Sequence, residues 1–160
     1  REVFPKLGWG KPVALHTRLL LGLGEPKKLG FEQDAVMDKV ISSKMSKSKP
    51  ETCIFIHDSE KQLKEKISKA YCPPSTENNP VLELTKYLVF HEKEELYVER
   101  EKKYGGDVSF ENYEQAEGAF LAGSLHSQDL KNAVASELNK ILSPLQSHFE
   151  KKKHLLQAFE

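Results

Sequence analysis

The densest cluster of chemistry-bearing side chains in this 160-residue chain is Lys44-Met45-Ser46-Lys47-Ser48, followed by Lys49-Pro50. A stretch so polar, closed by proline, suits an exposed loop and not the interior of a helix or strand. Lysines on a mobile loop can close over negative charge as it develops on phosphate oxygens, which favours a transition state over a ground state. The serine hydroxyls can donate to phosphate oxygens or pin the loop, and Met45 can seat it against apolar neighbours. The same letters also describe a solvated surface turn or a phosphorylation target, and five residues alone do not separate these readings.

Other constellations are sparse. Cys53 and Cys72 are too far apart for a paired metal-ligand motif, and no histidine near them completes a zinc spacing. Both read as free thiols in a reducing compartment. His16, His57, His91 and His148 have no catalytic partner at a readable spacing, although His57 stands just after the apolar run that follows the loop. Lys+Arg and Asp+Glu are both 24, so no global basic field announces a nucleic-acid partner. The distribution is uneven, with a net +3 over residues 44–75 and −6 over 76–123.

The composition, 38% hydrophobic and 30% charged, is that of a soluble globular protein. No apolar run approaches the roughly 18 residues a membrane helix needs, so a cytoplasmic protein with no membrane partner is expected. The chain opens on Arg1-Glu2-Val3-Phe4-Pro5, without an initiator methionine or a signal peptide, and reads as a piece of something longer. Its length suits one complete domain plus part of another.

The elements that must position the loop follow from periodicity. Residues Pro12 to His16 form a short apolar run expected to be a buried strand of a parallel sheet. Phe31 to Ser42 has the mixed spacing of a helix. After the loop, Cys53-Ile54-Phe55-Ile56 is a short apolar run. Ser59 and Gln62 then have capping-box spacing ahead of Leu63, Ile67 and Ala70, which predicts a helix that Cys72-Pro73-Pro74 ends. A second helix should start at Pro80 and bury Val81, Leu84, Tyr87 and Leu88. Leu96–Val98 and Val108–Phe110 flank Gly105-Gly106 as a hairpin or extended excursion. Helices over Asn112 to Leu121, Gln128 to Leu142 and Leu145 onward complete the chain, with Pro144 expected to separate the last two.

The segment Lys44–Ser48 matches letter for letter the KMSKS signature of class I aminoacyl-tRNA synthetases. Several other segments resemble the archaeal and eukaryotic tyrosyl-tRNA synthetases, in that family's order. They are residues 15–23, Phe55-Ile56-His57-Asp58-Ser59, Lys69-Ala70-Tyr71-Cys72-Pro73, Asn79-Pro80, Tyr104-Gly105-Gly106-Asp107 and Asp129-Leu130-Lys131-Asn132-Ala133-Val134. The resemblance covers nearly the whole chain, and one departure is the connection of about twenty residues from Gly24 to Ser43, which some archaeal members make in a few.

The resemblance implies a mainly α fold with a small α/β remnant. Residues 1–58 would be the last strand and loop of a Rossmann-type catalytic domain, and 59–160 a helical anticodon-binding domain with a short hairpin. It implies a tyrosine-tRNA ligase that uses ATP, with Mg2+, and takes tRNA(Tyr) as partner. Lys44, Met45, Ser46, Lys47 and Ser48 would bind ATP, with Lys47 as the main phosphate contact and Lys44 in support as catalytic residues. Tyr104, His126 and Asp129 would read the first anticodon base, with Lys131 on the tRNA phosphates. A guanine can stack on an aromatic ring while a carboxylate accepts from its N1 and N2 hydrogens. The bland alternatives are a helix N-cap for Asp129, a surface histidine, a hairpin tyrosine and a solvated lysine. The HIGH signature, the tyrosine site and the dimer interface have no counterpart here and are expected upstream, so the chain alone should not activate tyrosine. No protein-bound metal or prosthetic group is expected. A free-standing RNA-binding module, or one half of a split synthetase, is the competing reading.

Overall fold

The structure is a computed structural model, and it describes residues 2–15, 17–26, 43–152 and 154–155. The helix expected over Phe31 to Ser42, and His16, lie outside these residues. The described elements are α1 (Val3–Lys6), α2 (Glu60–Ser68), α3 (residues 80–92), β1 (Leu96–Val98), β2 (Val108–Phe110), α4 (Tyr113–Leu121) and α5 (Ser127–Lys151). Single helical turns at Pro50–Thr52 and Lys102–Tyr104 complete the list.

α2 begins where its capping box predicts. The Gln62 amide donates to the Ser59 hydroxyl, and the Gln62 carboxamide accepts from the Ser59 amide in return. Leu63 and Ile67 on its inner face are fully buried. α3 begins with Pro80 in its first turn, and the Asn79 side chain caps it by accepting from the Val81 and Leu82 amides. The Asn79 carboxamide also donates to the Pro73 and Ser75 carbonyls, so one buried side chain ends the loop and starts the helix. Midway, residues Thr85–Val89 widen into a π-type turn, with the Thr85 hydroxyl donating to the Val81 carbonyl. Val81, Leu82 and Leu84 before this turn and Val89 within it are buried and Leu88 is half-buried, whereas Tyr87, expected on the buried face, stands exposed.

β1 and β2 pair antiparallel, with Leu96 opposite Phe110 and Val98 opposite Val108. Leu96, Val98 and Phe110 face the core, while Tyr97 points to solvent. α5 runs 25 residues without a break. The expected separation at Pro144 is therefore corrected. Proline removes one helical hydrogen bond and crowds the carbonyl four residues back, a cost of about 3 kcal/mol in a helix interior. Here flanking contacts keep the helix intact: Ile141 and Leu142 pack on the core, and Gln146 Nε2 donates to the Asp58 carbonyl at 2.7 Å.

One core runs through the described helical body, with Leu63, Ile67, Leu82, Val89, Leu96, Leu130, Val134 and Leu138 at its centre. Leu23, from well before the loop, belongs to the same core. The strand expected at Pro12 to His16 is not formed over its described residues. Val13 is 98% and Leu15 91% exposed, because an extended segment without a pairing neighbour has neither a hydrogen-bond ladder nor apolar cover. Cys53–Ile56 is likewise unpaired as a strand and ends in a turn, where the Phe55 amide donates to the Asp58 carboxylate. No helix among the described residues is long and apolar enough to cross a membrane.

Candidate phosphate loop and base pocket

Two sites take shape at different places on this body. The first is the lysine-serine loop, held by the extended residues 20–24. The Met45 amide donates to the Leu20 carbonyl at 2.7 Å, and the Gly22 amide donates to the Ser43 carbonyl at 2.6 Å. Leu21 and Lys44 thus oppose each other in a short antiparallel bridge. Past the loop, the Leu23 amide donates to the Thr52 carbonyl, and the Leu23 carbonyl accepts from Tyr71. A Cβ added at Gly24 would come within 3.0 Å of the Thr52 methyl, so glycine permits this close approach. Both ends of the loop are therefore clamped to one short segment.

Within the loop, the Ser46 and Ser48 hydroxyls lie 2.9 Å apart and share a hydrogen bond, and the Lys49 amide donates back to the Ser46 carbonyl. The serines pin the turn, as one of their two expected roles requires. Met45 lines an apolar hollow with Leu20, Ile54, Leu84, Leu138 and Ile141, which seats the loop on α3 and α5. Lys44 and Lys47 are exposed, and neither ammonium enters an ion pair among the described residues. Lys44 borders a cleft of about 430 Å³ with Gly22, Gly24, Lys49 and Glu51. Two unneutralised cations on the loop can accept an anion at no cost in broken salt bridges, although Glu25 and Glu51 share the cleft with Lys44 and Lys49.

The second site lies at the start of α5. Tyr104, His126 and Asp129 line one hollow of about 510 Å³, together with Arg100, Gly123, Ser124 and Gln128. Three residues separated by up to 25 positions in sequence are brought together. Tyr104 ends the single turn Lys102–Tyr104, is 63% exposed, and carries the Lys103 ammonium 4.8 Å from its ring centre. The turn closes on Gly105 and Gly106, both at positive φ, which an L side chain would strain.

The helix cap differs from expectation. His126, not Asp129, is the N-cap of α5, its Nδ1 accepting from the Gln128 amide at 3.2 Å. Asp129 stands one turn in, half-buried, where the helix N-terminus favours a negative charge. The capping explanation for Asp129 is thereby removed. Lys131 stands apart from this hollow. Its ammonium donates to the Ser68 carbonyl at 3.0 Å, closing the C-terminal end of α2.

Arg100 is the member of the hollow that sequence reasoning missed. Its Nε donates to the Gly106 carbonyl at 3.0 Å and its Nη1 to the Ser124 carbonyl at 2.9 Å, tying the Tyr104 turn to the loop before α5. Asp107 completes the tie: its carboxylate accepts from the Arg100 amide and the Tyr97 hydroxyl. The Arg100 amide, and next the Tyr97 hydroxyl, hold the Asp107 carboxyl below the usual range, and the same bond to Asp107 pushes the Tyr97 phenol up. The sequence signal was the Tyr-Gly-Gly-Asp run, whose Asp serves the turn and not the pocket.

Among the described residues no three His, Cys, Asp or Glu side chains converge as metal ligands. Cys53 and Cys72 are free, and burial raises both thiols.

Comparison with known proteins gives one consistent result. The family model for class I tRNA synthetases (W and Y) matches residues 14–143. The tyrosine–tRNA ligase of Saccharolobus solfataricus is 43% identical over 157 residues, covering 95% of this chain and 42% of that protein. The crystal structure of the tyrosyl-tRNA synthetase of Pyrococcus horikoshii, complexed with L-tyrosine, superposes with a TM-score of 0.79 at 42% identity, covering 89% of this chain and 39% of that one. That of Aeropyrum pernix superposes at 0.74 with 36% identity, covering 99% and 42%. The chain thus spans about two fifths of the length of the relatives it matches.

Proposed function

The chain belongs to the class I tRNA synthetases of the tryptophan and tyrosine family, in its archaeal-type tyrosyl branch, and from that premise we propose that it supplies two working parts of a tyrosine-tRNA ligase. Residues 1–58 furnish the end of the Rossmann-type catalytic domain with its phosphate loop, and 59–160 the anticodon reader. The observation that carries the reading is the convergence of Tyr104, His126 and Asp129 on one hollow, remote in sequence from an unpaired Lys44–Lys47 loop.

In the first part, tyrosine attacks the α-phosphate of ATP and pyrophosphate leaves, so charge grows on the departing oxygens. Lys47, with Lys44 in support, meets that charge as the loop closes. Ser46 and Ser48 keep the turn, and Met45 holds it to the helical body. Mg2+ travels with the nucleotide as part of the substrate. In the second part, Tyr104 stacks on the first anticodon base, and the Asp129 carboxylate accepts from guanine N1 and N2. His126 fixes the start of α5 and lends an imidazole edge to the hollow. The exposed Val13 and Leu15 face would meet the rest of the catalytic sheet, together with the tyrosine site, so the chain alone binds RNA without activating tyrosine.

The test is kinetic. In the full-length enzyme Lys47→Ala should slow tyrosine activation more than it weakens ground-state ATP binding, since its partner charge forms during the reaction. Equal losses in both quantities would mean uniform binding and sink the transition-state role.

A further inference from the structure

Glu83 is a carboxylate on α3, 8% exposed, more than thirty residues from the loop in sequence. Its Oε2 accepts the Leu21 amide at 2.6 Å, and its Oε1 accepts Arg18 Nε at 2.8 Å. The bridge geometry explains why the Leu21 amide needs it. Leu21 and Lys44 oppose each other, and the bonds between their strands run from Gly22 to Ser43 and from Met45 to Leu20. In such a pair the amide of Leu21 itself turns away from Lys44. A half-buried amide without a partner is costly, and among the described residues the Glu83 carboxylate is its acceptor.

We propose that Glu83 is the positioning residue of the phosphate loop: it fixes the Leu20–Gly22 segment to α3, and that segment holds Ser43 and Met45, on either side of Lys44, through backbone hydrogen bonds. The inference rests on the reading of Lys44–Ser48 as a phosphate loop. It adds that the helical body, and not only the nucleotide domain, determines where the lysines stand. Arg18 serves Glu83 as a neutralising neighbour. Its guanidinium is largely exposed, lies 4.8 Å from the Tyr87 ring centre, and is raised chiefly by its bond to Glu83. Removing Arg18 leaves the Leu21 bond in place, whereas removing the carboxylate does not.

Amide hydrogen exchange on this chain separates the alternatives. In Glu83→Met, of similar volume and with no oxygen acceptor, the Gly22 and Met45 amides should exchange at least about tenfold faster, while Ile67 in α2 and Val134 in α5 keep the parent rates. Glu83→Gln, which retains one acceptor, should fall between, and Arg18→Gln should resemble the parent. Parent-like rates at Gly22 and Met45 in Glu83→Met would overturn the inference, and so would a uniform acceleration that includes Ile67 and Val134. Should Glu83→Met fail to fold, the contrast between Glu83→Gln and Arg18→Gln decides by the same criteria. Lys47→Ala changes no bond of this anchor, so its kinetics test the phosphate role separately from these rates.

Discussion

At the scale of single residues, Asp129 is the side chain whose role the fold narrows most. With the cap supplied by His126, Asp129 is free of the local duty that aspartate commonly has at a helix start. Asp129→Asn should therefore cost only the loss of a charge at the helix N-terminus, about 0.3–1 kcal/mol, and reduce preference for guanine over adenine at the first anticodon position. Tyr104→Ala should weaken binding to every base there, because an aromatic face contributes roughly 1–3 kcal/mol of stacking to any of them. Titration of a guanine- and an adenine-bearing stem-loop with both variants distinguishes the two roles. Equal loss across bases in Asp129→Asn would return Asp129 to a purely structural place. Asp107 makes a pH-dependent claim. Its carboxyl is held below the ordinary range, so its support of the Tyr104 turn is complete above the unfolded carboxylate pKa. That support is lost as pH falls through the lower folded value. Fluorescence or chemical shifts of Tyr97 should report the release of its hydroxyl in that acid window, and Asp107→Asn should flatten the transition.

At the scale of elements, caps and turns were legible in the sequence because their chemistry is local. Ser59 with Gln62, Pro80 in a first turn, and Gly105-Gly106 between two apolar runs each specify a boundary within a few residues, whereas the Asn79 cap was seen only in the structure. What was not legible depends on distant partners. Pro144 reads as a helix end unless one knows that Gln146 reaches the Asp58 carbonyl, 88 residues away. Pro12 to His16 reads as a strand because its letters are apolar, yet pairing requires a neighbour that no local pattern supplies. The π-type turn at Thr85 rotates Tyr87 outward, a shift that 3.6-residue periodicity does not encode. In the candidate sites, the lysines and the three pocket residues were readable from motif resemblance. Arg100 and Glu83 were not, because their work is done through single bonds to backbone carbonyls and to a backbone amide elsewhere. Asn79→Ala tests the element scale: it removes a cap and two further buried bonds, and should cost about 2 kcal/mol by denaturant unfolding. Ser59→Ala, at an exposed cap, should cost less, about 1 kcal/mol. Equal costs would mean that the Asn79 bonds to Pro73 and Ser75 add nothing.

At the scale of the whole molecule, the two sites sit on one body. Leu23, Met45 and Asp58 attach the loop side to α2, α3 and α5, and α5 begins at the base hollow and ends beyond Gln146. The central claim is that this body reads RNA at the start of α5. Electrostatics alone would not produce that outcome, since the net charge is zero, so discrimination must come from the hollow itself. The direct measurement is the ratio of dissociation constants of this chain for two anticodon stem-loops that differ only in guanine or adenine at the first anticodon position. It is made at several salt concentrations, for the parent and for Asp129→Asn. The account predicts that the parent favours guanine, that affinity falls with salt while the ratio persists, and that the ratio collapses toward unity in Asp129→Asn. A parent that binds both stem-loops equally, or an Asp129→Asn chain that keeps the parent's ratio, would contradict it.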